Sequence, residues 1–405
     1  MNKNTQKLAV RNLYLAVGVV AMLFAGILYA WSILKAPLSA EFGWGTSELA
    51  LNFTLAMTFF CIGGLLGARL LQWAGHKIAI LLSGALAASG FILTAFLNQG
   101  APVTLLYLTY GALAGSGIGI AYNVVIATVS AWFPDKKGVC SGCLMMGFGG
   151  SAFVLGNLAD AMFKNAIGWR GTYIALGVAL FVVLALAALI LKQPGADVCF
   201  PQSTQATAKT TEQQDFAPKQ MLARPSFWMA FLCISALAAV GSSAISFAKD
   251  LLLSVKAPET LAIALVGVLS ICNGIGRIIT GALFDRIGRR KTMISANLFS
   301  IGAAAITLTA VCTRSLILCI LGVCLIGLSY GACPTITAAF TSSFFGMKHF
   351  SNNMALFGCN LMVASFIATA SNKVLEATGG YTAPFMMLLA LTVFALILNV
   401  LIKKP

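Results

Sequence analysis

The chain has 405 residues, of which 59% are hydrophobic and only 9% are charged, and its mean hydropathy is +0.92. A soluble domain carries about 25% charged residues, so this composition excludes an ordinary soluble protein and predicts a polytopic membrane protein. The net charge of +15 does not indicate a nucleic-acid partner. Most of the 26 lysines and arginines fall instead in loops that a membrane topology places on one side.

Twelve apolar runs follow one another along the chain. A helix of about 20 residues crosses the hydrocarbon core of a bilayer. Lipid offers no partner to unpaired backbone groups, so each run is predicted to be a transmembrane helix. The alternation typical of a membrane barrel is absent from the sequence. The runs lie near residues 12–34, 49–71, 78–97, 103–131, 138–163, 172–191, 227–248, 261–284, 292–312, 315–340, 350–375 and 383–402.

One long polar segment divides these helices six and six. Residues 193–225 are rich in Gln, Thr, Ala, Lys and Pro, a composition typical of a linker. We therefore predict an N-terminal bundle over 1–192, a cytoplasmic linker over 193–225 and a C-terminal bundle over 226–405. The bias of basic residues places the linker and both termini in the cytoplasm.

The two halves resemble each other in sequence. Gly115 and Gly119 are matched by Gly327 and Gly331 about 212 residues later. Parallel six-helix repeats are the architecture of transporters that rock two bundles about a site near the membrane midplane. The fold class predicted is an all-α membrane protein with twelve transmembrane helices in two pseudo-symmetric six-helix bundles.

A single cation interrupts the apolar run before residue 284. Arg277 lies eight residues before Asp285, about 12 Å along a helix axis. A cation at that depth is costly and usually faces a cavity or a partner. No aspartate or glutamate is predicted at the same depth, and a guanidinium suits a carboxylate in bidentate geometry. We expect Arg277 to bind an anion, and pairing with a carbonyl or carboxylate for packing is the alternative.

The remaining charges give no sign of a proton relay. His76 and His349 fall in predicted cytoplasmic turns, so anion exchange or facilitated movement is favoured over proton coupling. Cys140 and Cys143 have CxxC spacing but open a glycine-rich apolar helix, so we interpret them as packing residues and predict no metal site and no cofactor. Seven charged residues are predicted near the outer interface: Lys35, Lys249, Asp250, Lys256, Glu259, Arg314 and Lys373.

The segment from Gly281 to Lys291, GALFDRIGRRK, resembles the signature loop of the major facilitator superfamily. In that family the loop joins the eighth and ninth helices. The first-half copy in this chain is degraded, with Gln72 at the acidic position. The resemblance implies a gating role for Gly281, Asp285, Arg286, Gly288, Arg289 and Arg290.

Three further segments, residues 25–38, 117–138 and 273–277, resemble the oxalate/formate antiporter-like carriers. That resemblance implies a substrate cavity in which Arg277 is the cation and Asn360 lies on the eleventh helix. Oxalate carriers have a second cation near the position of Leu361, and one cation suits a monoanion better than a dianion. The aromatic positions of the cavity fall at Tyr29, Tyr122, Phe148 and Tyr330.

The function predicted is secondary active transport of a small organic monocarboxylate, such as pyruvate, lactate or formate, by alternating access. We expect a monomer in the cell inner membrane, with a small organic anion as its substrate. An enzyme is not predicted, because the sequence shows no nucleophile–base pair, metal cluster or phosphate loop. The alternatives are a dicarboxylate exchanger of the oxalate/formate type, a drug exporter and a transporter-like carboxylate sensor.

Overall fold

The structure is a computed structural model that describes residues 3–133, 137–194, 215–346 and 349–402. It consists of helices, eleven of which are long and apolar enough to cross a membrane. One of them, Thr46–Ala95, has 50 residues and is about 75 Å long, more than twice the thickness of a hydrocarbon core. A break at Gly75 divides it into two spans, so the described residues contain the twelve predicted helices.

We label the spans in chain order. In the first half they are α1 (Val10–Phe42), α2 (46–74), α3 (76–95), α4 (Val103–Ser130), α5 (Gly142–Phe163) and α6 (Gly168–Ile190). In the second half they are α7 (Pro225–Ser254), α8 (Glu259–Phe284), α9 (Arg290–Thr313), α10 (Leu316–Phe345), α11 (Asn352–Thr378) and α12 (Thr382–Leu401).

Two glycines break the backbone in the same way. Gly75 has φ 75° and ψ 170°, and Gly288 has φ 73° and ψ 171°. Only glycine readily occupies this region of backbone space. The segment that follows Phe284, which the resemblance makes a loop between the eighth and ninth helices, is helical apart from the break at Gly288, and the helical run continues to Thr313. The side chains of Asp285 and Arg289 lie outside the described part of the structure.

The repeat also governs how helices approach one another. A Cβ added to Gly119 on α4 would lie 2.1 Å from the carbonyl oxygen of Phe60 on α2. A Cβ on Gly331 of α10 would lie 2.0 Å from the carbonyl oxygen of Asn273 on α8. Small residues permit such direct contact between helix backbones. The matched glycines of the sequence are thus matched packing positions in the two halves.

The halves are joined at the end that the sequence predicts to be extracellular. Lys35 on α1 forms an ion pair with Asp250 on α7, with 2.8 Å between Nζ and Oδ2. The backbone N–H of Ser47, at the start of α2, donates to Oε1 of Glu376 on α11 at 2.5 Å. Both contacts cross from one half to the other, so this end of the interface is closed.

The predicted linker is only partly described, because residues 195–214 lie outside the described ranges. Its end, a short helix over Pro218–Leu222, is attached to the second half. The backbone N–H of Phe216 donates to the carbonyl of Phe345 at 3.0 Å, and the Arg224 guanidinium lies 5.1 Å from the Phe216 ring centroid. The limits of the three predicted segments remain predictions.

The glycine break makes a stability prediction. Gly288→Ala should lower the thermal-unfolding midpoint in detergent, because alanine at this φ and ψ costs about 1–3 kcal/mol. Gly302→Ala is the matched control, since Gly302 is helical and has open space around its Cβ position. That variant should leave the midpoint unchanged or raise it, because alanine stabilises a helix interior by up to about 1 kcal/mol relative to glycine. Equal decreases in the unfolding midpoints of the two variants would contradict the glycine-specific backbone break at Gly288.

Candidate functional site

Two of the predicted site residues lie in, or directly beside, irregular backbone. Tyr29 lies in a 3₁₀ segment, Gly26–Ala30, inside α1. The helix α11 is interrupted at Cys359, directly before Asn360. Short 3₁₀ segments and interrupted helices often mark functional positions in membrane transporters. Irregular backbone therefore accompanies predicted site residues in both halves.

Aromatic rings from the first half form one connected cluster. The ring centroids of Tyr29 and Phe148 are 5.1 Å apart, and those of Tyr122 and Phe148 are also 5.1 Å apart, both in edge-to-face geometry. Phe60 lies 5.2 Å from Tyr122. Tyr330, from the second half, reaches this cluster with its centroid 6.0 Å from that of Tyr29. The cluster thus spans the interface between the halves.

Arg277 is buried beside this cluster, with 4% of its surface exposed. Its Nε donates to Oδ1 of Asn273 at 3.2 Å, one helical turn earlier on α8. Its Nη1 donates to the backbone carbonyl of Met145 on α5, also at 3.2 Å. The hydroxyl of Tyr122 lies close enough to interact with the guanidinium. The cation of the second half is therefore held partly by the first half.

Glycines bring Arg277 this close to α5. The Cβ position of Gly149 on α5 is only 3.4 Å from the backbone N of Gly274 on α8. On the opposite side, a Cβ at Gly331 would lie 3.0 Å from the backbone N of Arg277. A carbonyl oxygen has two lone pairs, so the Met145 carbonyl can accept from Arg277 without leaving its helix. The close packing of α8 between α5 and α10 fixes the guanidinium.

The partners of Arg277 are neutral. Among the residues that the structure describes, the ion pairs lie elsewhere and no carboxylate pairs with Arg277. Two buried polar atoms on α8, Ser270 Oγ and Asn273 Nδ2, have no hydrogen-bond partner among the described residues. Each unmet group costs about 1–3 kcal/mol. An anion with acceptor oxygens would suit a buried cation flanked by such groups.

The structure brings most of the predicted site residues together. Tyr29, Tyr122, Phe148 and Tyr330 share the ring cluster, and Arg277 interacts with Tyr122. Asn360 is different. It is buried, and its Nδ2 donates to Oγ1 of Thr337 at 3.1 Å, which is a contact within the second half.

The predicted gating segment begins one helical turn after Arg277, at the C-terminal end of α8. Gly281 is half-buried and has ordinary van der Waals space, with Thr335 as its nearest neighbour at 3.8 Å from the Cβ position. Arg286 and Arg290 are exposed, as is Gly288 at the backbone break. Within the described part of the chain, these residues are separate from the aromatic cluster.

Three contributors to the site were not predicted. The sequence did contain a signal for Asn273, because a residue four positions before Arg277 lies on the same helix face and can contact it. Phe60 had none, since a lone phenylalanine in an apolar helix is typical of packing. The Met145 carbonyl is a backbone group, and residue type does not show which backbone groups a distant side chain will reach.

Comparison with known proteins decides the family. The family model of the Major Facilitator Superfamily matches residues 13–369 and, in a second match, residues 231–405. The chain belongs to the Major Facilitator Superfamily. Members of this superfamily are transporters, so this multi-pass membrane protein is a transporter and not an enzyme.

Relatives of this superfamily member include carriers of organic anions. It is 26% identical to human monocarboxylate transporter 12, over 80% of this chain and 66% of the relative. It is 24% identical to the oxalate:formate antiporter of Oxalobacter formigenes, over 95% and 90%. A partially occluded, inward-open structure of the xylose transporter XylE from E. coli shares the fold, with a TM-score of 0.68, 13% identity, and coverage of 96% of this chain and 97% of that one.

The packing around Arg277 makes a second stability prediction. Gly331→Ala should displace α8 from α10 and lower the thermal-unfolding midpoint, because overpacking costs about 1–3 kcal/mol. Gly281→Ala, on the same helix as Arg277, should have little effect because its Cβ has room. The two midpoints are measured side by side in detergent. A stable Gly331→Ala variant would show that the contact between α8 and α10 is looser than described.

Proposed function

We propose that this transporter carries a small organic monocarboxylate, such as pyruvate, lactate or formate, by alternating access. The observation that carries the proposal is a buried guanidinium, Arg277, whose described partners are all neutral. A buried cation without an opposite charge costs several kcal/mol, and a bound carboxylate offsets that cost. The names of two relatives, an oxalate:formate antiporter and a monocarboxylate transporter, support the same substrate class.

The charge of the site favours a monoanion. Arg277 supplies one positive charge, and the position near which the resemblance puts a second lysine holds Leu361, a partly buried apolar residue. A dicarboxylate at this site would keep one negative charge unpaired in a low-dielectric environment, at a cost of several kcal/mol. The aromatic cluster would contact the apolar part of the substrate. In this proposal Asn360 shapes the wall of the cavity on α11.

Binding and movement are linked through Arg277. Its contact with the Met145 carbonyl joins α8 of the second half to α5 of the first half. An arriving carboxylate competes for the same N–H donors and so changes a contact between the halves. A ligand shifts a conformational equilibrium only through interactions that differ between the two states, and this contact is one such difference. The neutral surroundings of Arg277 favour exchange of anions over coupling to protons.

Orientation completes the proposal. We place the protein in the cell inner membrane as a monomer, with both termini in the cytoplasm. The distribution of basic residues supports this orientation. The contacts of Lys35 with Asp250 and of Ser47 with Glu376 then lie at the outer face and hold it closed. The glycine break at Gly288 and the basic residues beside it would stabilise one conformational state at the inner face.

Removal of the buried cation tests the substrate role. Arg277→Gln should reduce uptake of labelled pyruvate into liposomes at least tenfold, because it loses a charge-assisted contact worth more than about 1.4 kcal/mol. Arg277→Lys should retain part of the uptake, since it keeps the charge without the planar fork. Lys373→Gln is the control, because it removes an exposed cation from the same half. Normal uptake by a well-folded Arg277→Gln variant would refute the role.

Substrate charge provides a separate test. The unmodified protein should exchange pyruvate much faster than oxalate, because one cation leaves the second charge of oxalate unpaired. Leu361→Lys should raise oxalate exchange relative to pyruvate exchange, and Leu361→Met, which conserves volume, should not. Rates are compared in the same liposomes with each anion in turn. Equal rates for oxalate and pyruvate in the unmodified protein would refute the one-cation argument.

A further inference from the structure

Two thiols face each other where the halves meet, and the proposed function gives neither a role. Cys61 lies on α2 of the first half, and Cys359 lies at the break in α11 of the second half. The two side chains interact with each other, and Sγ of Cys61 lies 3.8 Å from the carbonyl oxygen of Gly358. Both are free cysteines, and both are half-buried.

Neighbouring contacts hold the two helices in register. Oγ1 of Thr54 on α2 donates to the carbonyl of Ser365 on α11 at 2.6 Å. Oγ1 of Thr369, one turn further along α11, donates to the carbonyl of Ala50 at 3.2 Å. Thr54 lies about two turns from Cys61 along α2. The thiols are therefore opposed by the packing of α2 on α11, and their position does not depend on one flexible side chain.

We propose that Cys61 and Cys359 are an oxidation site, at which a disulfide covalently joins the two halves of the transporter. The oxidant is a low-molecular-weight disulfide. One protein thiolate attacks it and releases the first small thiol, and the second protein thiolate attacks the mixed disulfide and releases the second. The two protein thiols are oxidised and the small disulfide is reduced. The protons of the protein thiols end on the two small thiols that are released.

A disulfide suits this place better than a metal ion. Two thiolates also bind soft metal ions such as Cu(I), but a Cu(I) ion with two thiolates carries a net negative charge. Neither sulfur has a cation among its described partners, and a permanent uncompensated charge within the membrane is costly, whereas the attacking thiolate is transient and is consumed in the exchange. A disulfide is neutral. A link here would also stop α2 and α11 from separating at a level about 21 Å along α2 from the outer contact between Ser47 and Glu376.

The chain supplies a matched control pair. Cys272 on α8 and Cys324 on α10 also interact with each other, but both belong to the second half. The experiment uses the full chain with a protease site inserted between residues 195 and 214 and with Cys199→Ser, which removes a thiol from the cut segment. The purified protein is treated with glutathione disulfide, cut, and run on a denaturing gel without reductant.

The oxidised and cut protein should run as one band, and a reducing agent should convert it into two fragments. Loss of the single band is expected in both Cys61→Ser and Cys359→Ser. The double variant Cys272→Ser and Cys324→Ser should still give the single band, because it retains Cys61 and Cys359. Elution as one symmetric peak on size exclusion shows that each variant is folded, and Cys61→Ala replaces any serine variant that fails this check.

Two results would overturn the proposal. Two fragments from the oxidised protein that retains Cys61 and Cys359 would show that the thiols do not join the halves. A single band that persists in Cys61→Ser and in Cys359→Ser would assign the link to other cysteines. The assay uses no transport substrate, so its outcome is independent of the proposed monocarboxylate function.

Discussion

The site depends on one constraint: a guanidinium is buried where no described carboxylate balances it. Arg277 is held by an amide oxygen of Asn273 and by the backbone carbonyl of Met145. These contacts satisfy part of its hydrogen-bonding capacity but leave its charge uncompensated. The glycines that bring α8 against α5 and α10 serve this arrangement, because they fix the guanidinium at the interface between the halves. The proposed binding of an anion rests on that residual charge.

The internal repeat accounts for the matched packing of helices in the two halves. The residues that differ between the halves account for the chemical character of the site. Gly119 contacts the Phe60 carbonyl in the first half, and Gly331 contacts the Asn273 carbonyl in the second. Phe60 and Asn273 therefore occupy equivalent positions on α2 and α8. One contributes a ring to the aromatic cluster, and the other holds Arg277. Equivalent backbone positions thus provide an apolar wall on one side of the interface and a cation on the other.

The sequence predicted much of this arrangement and missed its contacts. Hydropathy was sufficient for twelve spans, because lipid restricts the chain to helices. Arg277 was evident because a cation in an apolar run is rare. The break at Cys359 was not predicted, since no proline or glycine pair forces it. The outer contact between Ser47 and Glu376 was also missed, because it joins residues far apart in the chain whose types are ordinary for helix ends.

The most direct test of the uncompensated charge is Asn273→Asp. This change keeps the size of the side chain but places a carboxylate beside the Arg277 Nε atom. An ion pair about 4 Å apart at an effective dielectric constant of about 20 is worth about 4 kcal/mol, so the guanidinium would be neutralised from within. Pyruvate affinity, measured by titration calorimetry on the purified protein at neutral pH, should weaken at least tenfold. Unchanged or tighter pyruvate binding would contradict the account.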